Sequence, residues 1–336
     1  MKLSTYFKPK SMVYTGDFSH VKTNIIHYQY DAKQIEMVDG FELSLDKKHY
    51  IQVVGLADVE KIQGIRSHLT IDPLVMEDIF NVNQRNKLEL KEDYLFGTFS
   101  LSYLENQNIK EEYMSIIMFA NTIVSFHETQ PIFLDDLKTL FKEHKELREL
   151  PIDYLFFQIL DIITDKHLEV YDMLDDAIND FEAQILETKN IEQESFYLIR
   201  KHMLQLKNNV SPISDQLEKI LLKKSVLFSL VTSTYYEDLK DHLQRLDNRL
   251  NQSREMMHHL LDLHMNNQST KMNKIMATLT LFSAIFIPLS FLTGFFGMNF
   301  VHFELLKYEN ALIFFGTVCA VIAVSMILIF KRKKWL

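Results

Sequence analysis

Cysteine is almost absent from this chain of 336 residues. The single cysteine, Cys319, lies within a long apolar run near the end of the sequence. One thiol cannot form an intrachain disulfide, and it cannot build a cysteine-based zinc site. The sequence therefore excludes a disulfide framework and a cysteine-ligated zinc fold.

Glycine and proline are scarce and unevenly distributed. The chain has eight glycines and six prolines, and five of the glycines lie at or before Gly97. Neither residue occurs in 152–211, and neither occurs between Pro212 and Pro288. Because these two residues punctuate turns and interrupt helices, we predict that mixed α/β structure ends near Pro151 and that long helices follow.

Several common motifs are also missing. The sequence contains no P-loop, no GxGxxG and no HExxH, so we predict no enzyme activity and no organic cofactor. The amino-terminal residues MKLSTYFKPK lack the apolar segment of a secretory signal. We therefore expect the amino-terminal part of the protein to stay in the cytosol.

Positive charge is in deficit. The chain has 36 Lys and Arg against 45 Asp and Glu, and the part up to Asn299 carries a net charge of −12. This balance is unfavourable for nucleic acid, which rewards clustered positive charge. It suits a domain that collects cations, and ordinary solubility of a cytosolic domain explains it equally well.

Two uncharged apolar runs, 275–296 and 311–330, dominate the end of the chain. A helix of about 20 apolar residues spans a hydrocarbon core of roughly 30 Å. Basic residues at 331–334 follow the second run, whereas the segment between the runs has one basic and two acidic residues. The positive-inside bias then predicts that both termini are cytoplasmic. We expect a multi-pass protein of the plasma (inner) membrane.

Before Pro151, β-branched and aromatic runs alternate with helical signals. Strands are predicted at 24–30, 50–54, 94–103, 113–119 and 122–127. Short helices are predicted at 58–67 and 73–80, the second with Asp72 as N-cap and Pro73 at the first helical position.

After Pro151 the pattern is helical. We predict a long charged helical region at 152–211, and a second helix that starts near Ser214 and continues into the membrane without a break. The second helix carries a seam with alternating steps of four and three residues: Leu239, Leu243, Leu246, Leu250, Ser253, Met257, Leu260 and His264. Such a seam packs against neighbouring helices or against copies of itself.

The same stepping continues toward the membrane with different chemistry. The residues are Asp262, Asn266, Ser269, Asn273, Met276, Thr280, Ser283, Ile287 and Ser290. Small polar and amide groups on an apolar helix suit a pore wall, because they offer oxygen ligands without a trapping charge. Packing between helices explains the same residues equally well.

These patterns predict an α+β/α membrane protein with six segments. They are a cytosolic α/β domain at 1–150, a long-helix stalk at 151–274, a first transmembrane helix at 275–298, an outer loop at 299–310, a second transmembrane helix at 311–330 and a basic tail at 331–336.

The tripeptide Gly297-Met298-Asn299 directly follows the first apolar run, and a short loop, a second run and a basic Lys-Lys-Trp-Leu ending come after it. This arrangement resembles the CorA family of magnesium channels. The segments PLVMEDIFNVNQ at 73–84 and YYEDLKDH at 235–242 resemble the family's cytosolic part. The resemblance implies a homopentamer in a lipid bilayer, with a pore lined by the first spans and a cytoplasmic funnel of long helices.

The resemblance also implies roles for individual residues. Asn299 would form a ring at the outer mouth, following Gly297 and Met298, where neutral amide oxygens select hydrated Mg²⁺. The implied pore-lining residues are Asn273, Met276, Leu279, Ile287 and Ser290, with Asp262 near the inner end. Met276 and Leu279 would form an apolar constriction that gates by excluding water.

A regulatory Mg²⁺ site is implied as well. Asp78, with Glu77 nearby, would face Asp238 of the adjacent subunit, and a bound cation would hold the two carboxylates together. Either acid alone is more often a solvated surface carboxylate. Their occurrence together in matching segments favours the site.

The outer loop departs from the family's Met-Pro-Glu-Leu pattern. It keeps Glu304 but has no proline, and His302 favours softer ions such as Co²⁺, Ni²⁺ or Zn²⁺. Three hypotheses follow: a Mg²⁺ influx channel with Co²⁺ and Ni²⁺ as further candidate ions, a transporter of Zn²⁺ or another divalent metal on the same scaffold, or a membrane-anchored enzyme or signalling protein. The third would rely on His258, His259 and His264, which lack a nearby carboxylate constellation.

Overall fold

The computed structural model describes residues 12–131, 139–187, 191–223, 225–298 and 310–333. The described residues form two compact units. The first unit contains those of 12–184 and 191–258, and the second contains 185–187 and those from His259 onward.

The first unit is built on a seven-stranded sheet. Its strands are β1 (Asn24–Tyr30), β2 (Ile35–Val38), β3 (Lys48–Val54), β4 (Lys87–Leu90), β5 (Leu95–Glu105), β6 (Asn108–Met118) and β7 (Thr122–His127). The spatial order is β2-β1-β3-β7-β6-β5-β4, in which β3 and β7 pair in parallel and the other neighbours pair antiparallel.

The five predicted strands are all present in this sheet, and β2 and β4 were not predicted. Both missed strands have four residues and lie at the two edges of the sheet. Most of their side chains are exposed or half-buried. An edge strand this short lacks the buried apolar alternation by which a strand is recognised in sequence.

Two short helices, α1 (Val59–Leu69) and α2 (Pro73–Phe80), contribute to the core on one face of the sheet. That core includes Ile51, Val53, Ile62, Ile65, Val75, Ile79, Phe80, Phe96 and Phe126, all at most 1% exposed. As predicted, Asp72 caps α2: its side chain accepts the Leu74 N–H at 2.9 Å, and Pro73 occupies the first turn. The cap and the buried face fix α2, which carries Glu77 and Asp78.

Further helices are α3 (Lys145–Glu149), α4 (Ile152–Leu186), α5 (Gln193–Leu222), α6 (Ser233–Phe296) and α7 (Ala311–Arg332). The predicted division of this region was wrong in two places. The span 152–211 is divided between α4 and α5, and α5 continues through Pro212, so Ser214 lies inside α5 rather than near the start of the long helix.

The break before α6 is made by serines. The hydroxyl of Ser225 accepts the Leu227 N–H, and the hydroxyl of Ser229 accepts the Val231 N–H, each at 3.2 Å. Serine supports such turns by bonding to the backbone two residues on. Pro212, by contrast, is itself buried in a helix whose apolar face packs tightly, so the lost backbone bond does not end α5.

The predicted seam of α6 is buried. Leu239, Leu243, Leu246, Leu250, Met257 and Leu260 are at most 3% exposed. Ser253, the polar residue within this seam, is buried too. Its hydroxyl contacts the Tyr171 hydroxyl at 2.9 Å and Asp175 Oδ1 at 3.1 Å, both on α4. A serine therefore fits the seam because α4 supplies hydrogen-bond partners for it.

In the second unit, α6 and α7 each contain a segment long and apolar enough to cross a membrane. Apart from Phe330 near the end of α7, which is 8% exposed, no residue of the runs 275–296 and 311–330 is buried inside the chain. Large apolar side chains that remain exposed along whole helices need a lipid or protein environment. The predicted fold class, an α/β domain followed by long helices and two apolar carboxy-terminal helices, is confirmed.

Candidate ion pathway and regulatory site

The predicted pore residues share one face of α6. At about 100° per residue, Asp262, Asn273, Met276, Thr280 and Ile287 fall within a sector of about 60°. Ser290 and Leu279 lie outside this sector, about 40° and about 60° beyond its nearer edge. Because α6 is continuous from Ser233 to Phe296, the sector runs along a single helix.

This face is exposed within one chain. Met276, Leu279 and Ile287 are 59%, 66% and 67% exposed, and Asn273 and Ser290 are exposed as well. Thr280 donates its hydroxyl to the Met276 carbonyl at 2.7 Å, which leaves the oxygen lone pairs available on the helix surface. From Asn273 onward, the face therefore offers neutral oxygen atoms interrupted by large apolar groups.

Gly297 follows the last residue of α6. Its N–H donates to the Thr293 carbonyl at 2.9 Å, and the Met298 N–H donates to the Phe295 carbonyl at 3.3 Å. A Cβ at Gly297 would lie 3.0 Å from the Thr293 oxygen, which is closer than an ordinary side-chain contact. Glycine fits here because the backbone approaches itself closely.

The outer end of the predicted pathway is partly outside the described residues. Met298 is described and is 55% exposed. Asn299, His302 and Glu304 lie outside the described residues, so their predicted roles stay predictions.

Asp78 of the predicted regulatory site is held within its own chain. Its Oδ2 lies 2.6 Å from Lys87 Nζ, and its Oδ1 accepts a hydrogen bond from Gln84 at 2.5 Å. The Asp78 carbonyl accepts the Tyr113 hydroxyl at 3.1 Å. The Asp78 side chain is 25% exposed, so solvent reaches it, and a cation that binds its Oδ2 must compete with Lys87.

Asp238 lies near the start of α6, with its side chain 66% exposed and 3.8 Å from His242 Nε2. Two acids of α4, Asp161 and Asp165, interact electrostatically with this region: His242 affects the pKa of both, and Asp238 affects that of Asp161. Burial raises the pKa of both, the Asp165 charge raises the pKa of Asp161 further, and His242 opposes both shifts. These acids were not predicted from the sequence, although Asp161 and Asp165 are four residues apart on one helical face, as are Asp238 and His242.

Asp153 anchors the start of α6. It is 1% exposed, and its Oδ2 accepts the Ser229 N–H at 2.7 Å and the Thr232 hydroxyl. Its carbonyl accepts the Tyr236 hydroxyl at 2.7 Å, two residues before Asp238. Burial raises the pKa of Asp153. No sequence signal marks this residue, because its partners are distant along the chain.

Across the described ranges, no three His, Cys, Asp or Glu side chains converge as a metal site within one chain. No hydrogen bond or ion pair among those residues joins Asp78 to Asp238. The histidines considered for enzymatic chemistry lie along α6, where His258 and His259 are exposed and His264 is half-buried.

Comparisons with known proteins agree on a family. The family model described as "CorA-like Mg2+ transporter protein" matches residues 50–332. The cobalt/magnesium transport protein CorA of Thermotoga maritima is 27% identical over 339 residues, which cover 98% of this chain and 96% of that protein.

A solved structure and a relative named for zinc complete the comparison. The complete structure of the CorA magnesium transporter from Methanocaldococcus jannaschii matches with a TM-score of 0.73 and 19% identity, covering 94% of this chain and 100% of that one. The zinc transport protein ZntB of Yersinia enterocolitica is 25% identical over 182 residues, which cover 53% of this chain and 55% of that protein.

Proposed function

Because the chain belongs to the CorA family of divalent-cation transporters, we propose that it is a Mg²⁺ influx channel of the plasma membrane, with both termini cytoplasmic. Mg²⁺ enters down the membrane potential, and cytosolic Mg²⁺ bound between subunits closes the pathway. Co²⁺ and Ni²⁺ are further candidate substrates, in keeping with the cobalt/magnesium relative.

The observation that carries this proposal is the exposed sector of α6. It presents amide and hydroxyl oxygens on a helix that has no charged residue between Lys274 and the end of the helix. Mg²⁺ gives up its water molecules reluctantly, so neutral oxygens that contact the hydrated ion can pass it without holding it.

One helix face cannot enclose a pore, so the pathway requires several copies of the chain. We propose a homopentamer, the assembly that the family resemblance implies, with α6 of each copy facing a central axis. Rings of Met276 and Leu279 then form an apolar constriction that blocks conduction when it dewets. Asn299 forms a ring of neutral amides at the outer mouth.

The membrane potential supplies enough driving force for entry. At 100 mV, negative inside, each elementary charge gains roughly 2.3 kcal/mol, and a divalent cation gains roughly 4.6 kcal/mol. That corresponds to a concentration ratio of over a thousandfold, so the proposed channel needs no nucleotide. We propose no organic cofactor, no nucleic-acid partner and no enzymatic activity.

Regulation follows from the acids of the cytosolic unit. We assign the sensor to Asp78 and Glu77 of one subunit and Asp238 of the next. Carboxylates that repel one another are held together when Mg²⁺ binds between them, and they separate when cytosolic Mg²⁺ falls. Asp153 fixes the start of α6 and so positions Asp238.

The Asn299→Ala variant tests the proposal. In proteoliposomes with an inside-negative potential, it should lose most of its Mg²⁺ entry or its preference for Mg²⁺ over Ca²⁺. Asn310→Ala, the same change at the start of α7, serves as the matched control and should behave like the wild type. Unchanged flux and selectivity in Asn299→Ala would contradict the assignment of the selectivity ring.

A second candidate is a Zn²⁺ transporter on the same scaffold. The similarity to ZntB and the presence of His302 in the loop favour it. It is distinguished by its driving force: Zn²⁺ movement that follows a pH gradient, with no potential-driven Mg²⁺ entry, would replace the channel proposal.

A further inference from the structure

Basic residues cluster at one end of the two apolar helices in the second unit. Lys271 and Lys274 precede the apolar part of α6, and Lys331, Arg332 and Lys333 follow that of α7. All five residues are exposed, and they are called the basic band below.

Acidic residues are absent from the stretches of sequence next to the basic band. The sequence has no Asp or Glu between Asp262 and Glu304, and none after Glu309. Among the ion pairs of the described ranges, none involves Lys271, Lys274, Lys331 or Arg332. This end of the helix pair therefore presents an excess of positive charge to its surroundings.

The depth of the basic band follows from helix geometry. The rings of Phe296 on α6 and Phe315 on α7 are 5.0 Å apart, so these residues mark one level. Lys331 lies about 24 Å along α7 from that level, which corresponds to the level of Thr280 on α6. Lys274 and Lys271 then lie about 9 and about 14 Å farther along α6.

The depths of Lys331, Arg332 and Lys333 match the polar layer of a membrane, and Lys274 and Lys271 lie beyond that layer. The run 311–330 covers about 30 Å, the thickness of the hydrocarbon core, so Lys331 lies at its boundary. The headgroup region extends about 5–8 Å beyond that boundary on each side. Long lysine side chains reach back toward that layer, as they do at membrane interfaces generally.

The basic band also faces away from the proposed pathway. At about 100° per residue, Lys271 lies about 160° around α6 from Asn273, and Lys274 lies about 100° from it. The two lysines are therefore on the outer and flanking sides of the helix. Apolar side chains lie next to the band on the membrane side: Ile275 and Phe282 on α6 are 57% and 61% exposed, and Leu328 on α7 is 60% exposed.

We propose that the basic band binds the headgroups of anionic phospholipids in the cytosolic leaflet. The inference rests on the membrane orientation given under the proposed function. A phospholipid fits because its phosphate meets the ammonium and guanidinium groups while its acyl chains cover the apolar side chains beside them. A soluble anion would satisfy only the first of these two surfaces.

Electron paramagnetic resonance with spin-labelled lipids tests the proposal on the full-length protein in bilayers. The measured quantity is the association of labelled phosphatidylglycerol with the protein relative to labelled phosphatidylcholine. We expect a preference on the order of five-fold for phosphatidylglycerol, the equivalent of one favourable basic contact, and it should decrease with salt. The variant K271Q/K274Q/K331Q/R332Q should reduce the ratio toward one.

The matched control is K201Q/K219Q, which neutralises exposed lysines on α5 and should keep the wild-type ratio. Circular dichroism checks that every variant is folded. An unchanged ratio in the quadruple variant overturns the proposal. So does loss of the preference on adding inorganic phosphate at constant ionic strength, because that result assigns the site to free phosphate. If the protein retains the lipid preference but conducts no Mg²⁺, the result supports lipid binding by the basic band and contradicts only the proposed channel function.

Discussion

Replacing Lys87 by methionine should make the regulatory site bind Mg²⁺ more tightly. Lys87 forms an ion pair with Asp78 within one chain, with 2.6 Å between Lys87 Nζ and Asp78 Oδ2. A cation that uses Asp78 as a ligand must displace Lys87 first, so the lysine competes with Mg²⁺ for the same oxygen. Removing the competitor increases the apparent affinity of the site.

The magnitude follows from the contact and its exposure. Hydrogen bonds to charged groups contribute about 1.5–3 kcal/mol when well shielded. The two side chains are 21% and 25% exposed, so solvent screening reduces this toward about 1 kcal/mol. We therefore expect the Mg²⁺ midpoint to fall about five- to tenfold. Methionine retains an apolar stem against the Phe96 ring, over which Lys87 Nζ lies at 5.4 Å.

The assay is Mg²⁺-dependent protection of the purified protein from chymotrypsin, which does not cleave at lysine. Lys91→Met is the matched control, because Lys91 pairs with Glu89 at 2.8 Å, whereas Lys87 is the lysine that contacts Asp78. Its midpoint should stay near the wild-type value. A K87M midpoint that is unchanged or higher, or an equal shift in K91M, would refute the reasoning.

Three further predictions concern the sensor and the core. Asp78→Asn combined with Asp238→Asn should abolish the Mg²⁺ dependence of protection and of flux, and a normal Mg²⁺ response in this variant would remove the sensor assignment. Leu246→Ala should destabilise the protein by about 2–5 kcal/mol in denaturant unfolding, because Leu246 is fully buried in the seam; a cost under 1 kcal/mol would mean that the seam is loosely packed. Burial lowers the pKa of His167 from 6.5 to about 4, so the unfolded chain binds the proton more strongly and stability should fall by about 3 kcal/mol as pH drops from 6.5 to 4. His167→Gln should flatten that part of the stability profile, which is measured by unfolding at each pH.

Local patterns predicted much of the fold. The N-cap and proline at residues 72 and 73 define the start of α2, and the four-three stepping of leucines defines the buried seam of α6. Both signals depend only on residues that are close together in the sequence, so they can be recognised without knowledge of the tertiary structure. The exposed sector with Asn273 and Met276 was predicted for the same reason, because helical periodicity alone decides which residues share a face.

The missed features depend on partners that are distant along the chain. Glycine and proline did not mark the break before α6, which depends on Ser225 and Ser229 and on the contacts of Asp153 with Ser229 and Thr232. The sequence offers no sign that these groups meet.

The regulatory acids show the same limit at the site. Asp78 was predicted to be a cation ligand, and nothing indicated that Lys87 would pair with it. Lys87 lies on β4, an edge strand with too little apolar alternation to be recognised. The charge balance of the site therefore follows from a strand that the pattern did not predict.

The most direct test of the proposed channel is Mg²⁺ flux into proteoliposomes that contain the purified protein, with an inside-negative potential and with or without Mg²⁺ inside. The proposed channel should show Mg²⁺ entry that follows the potential and is suppressed by internal Mg²⁺. The absence of Mg²⁺ entry from folded, membrane-inserted protein would contradict the proposed channel, and entry unaffected by internal Mg²⁺ would contradict its regulation.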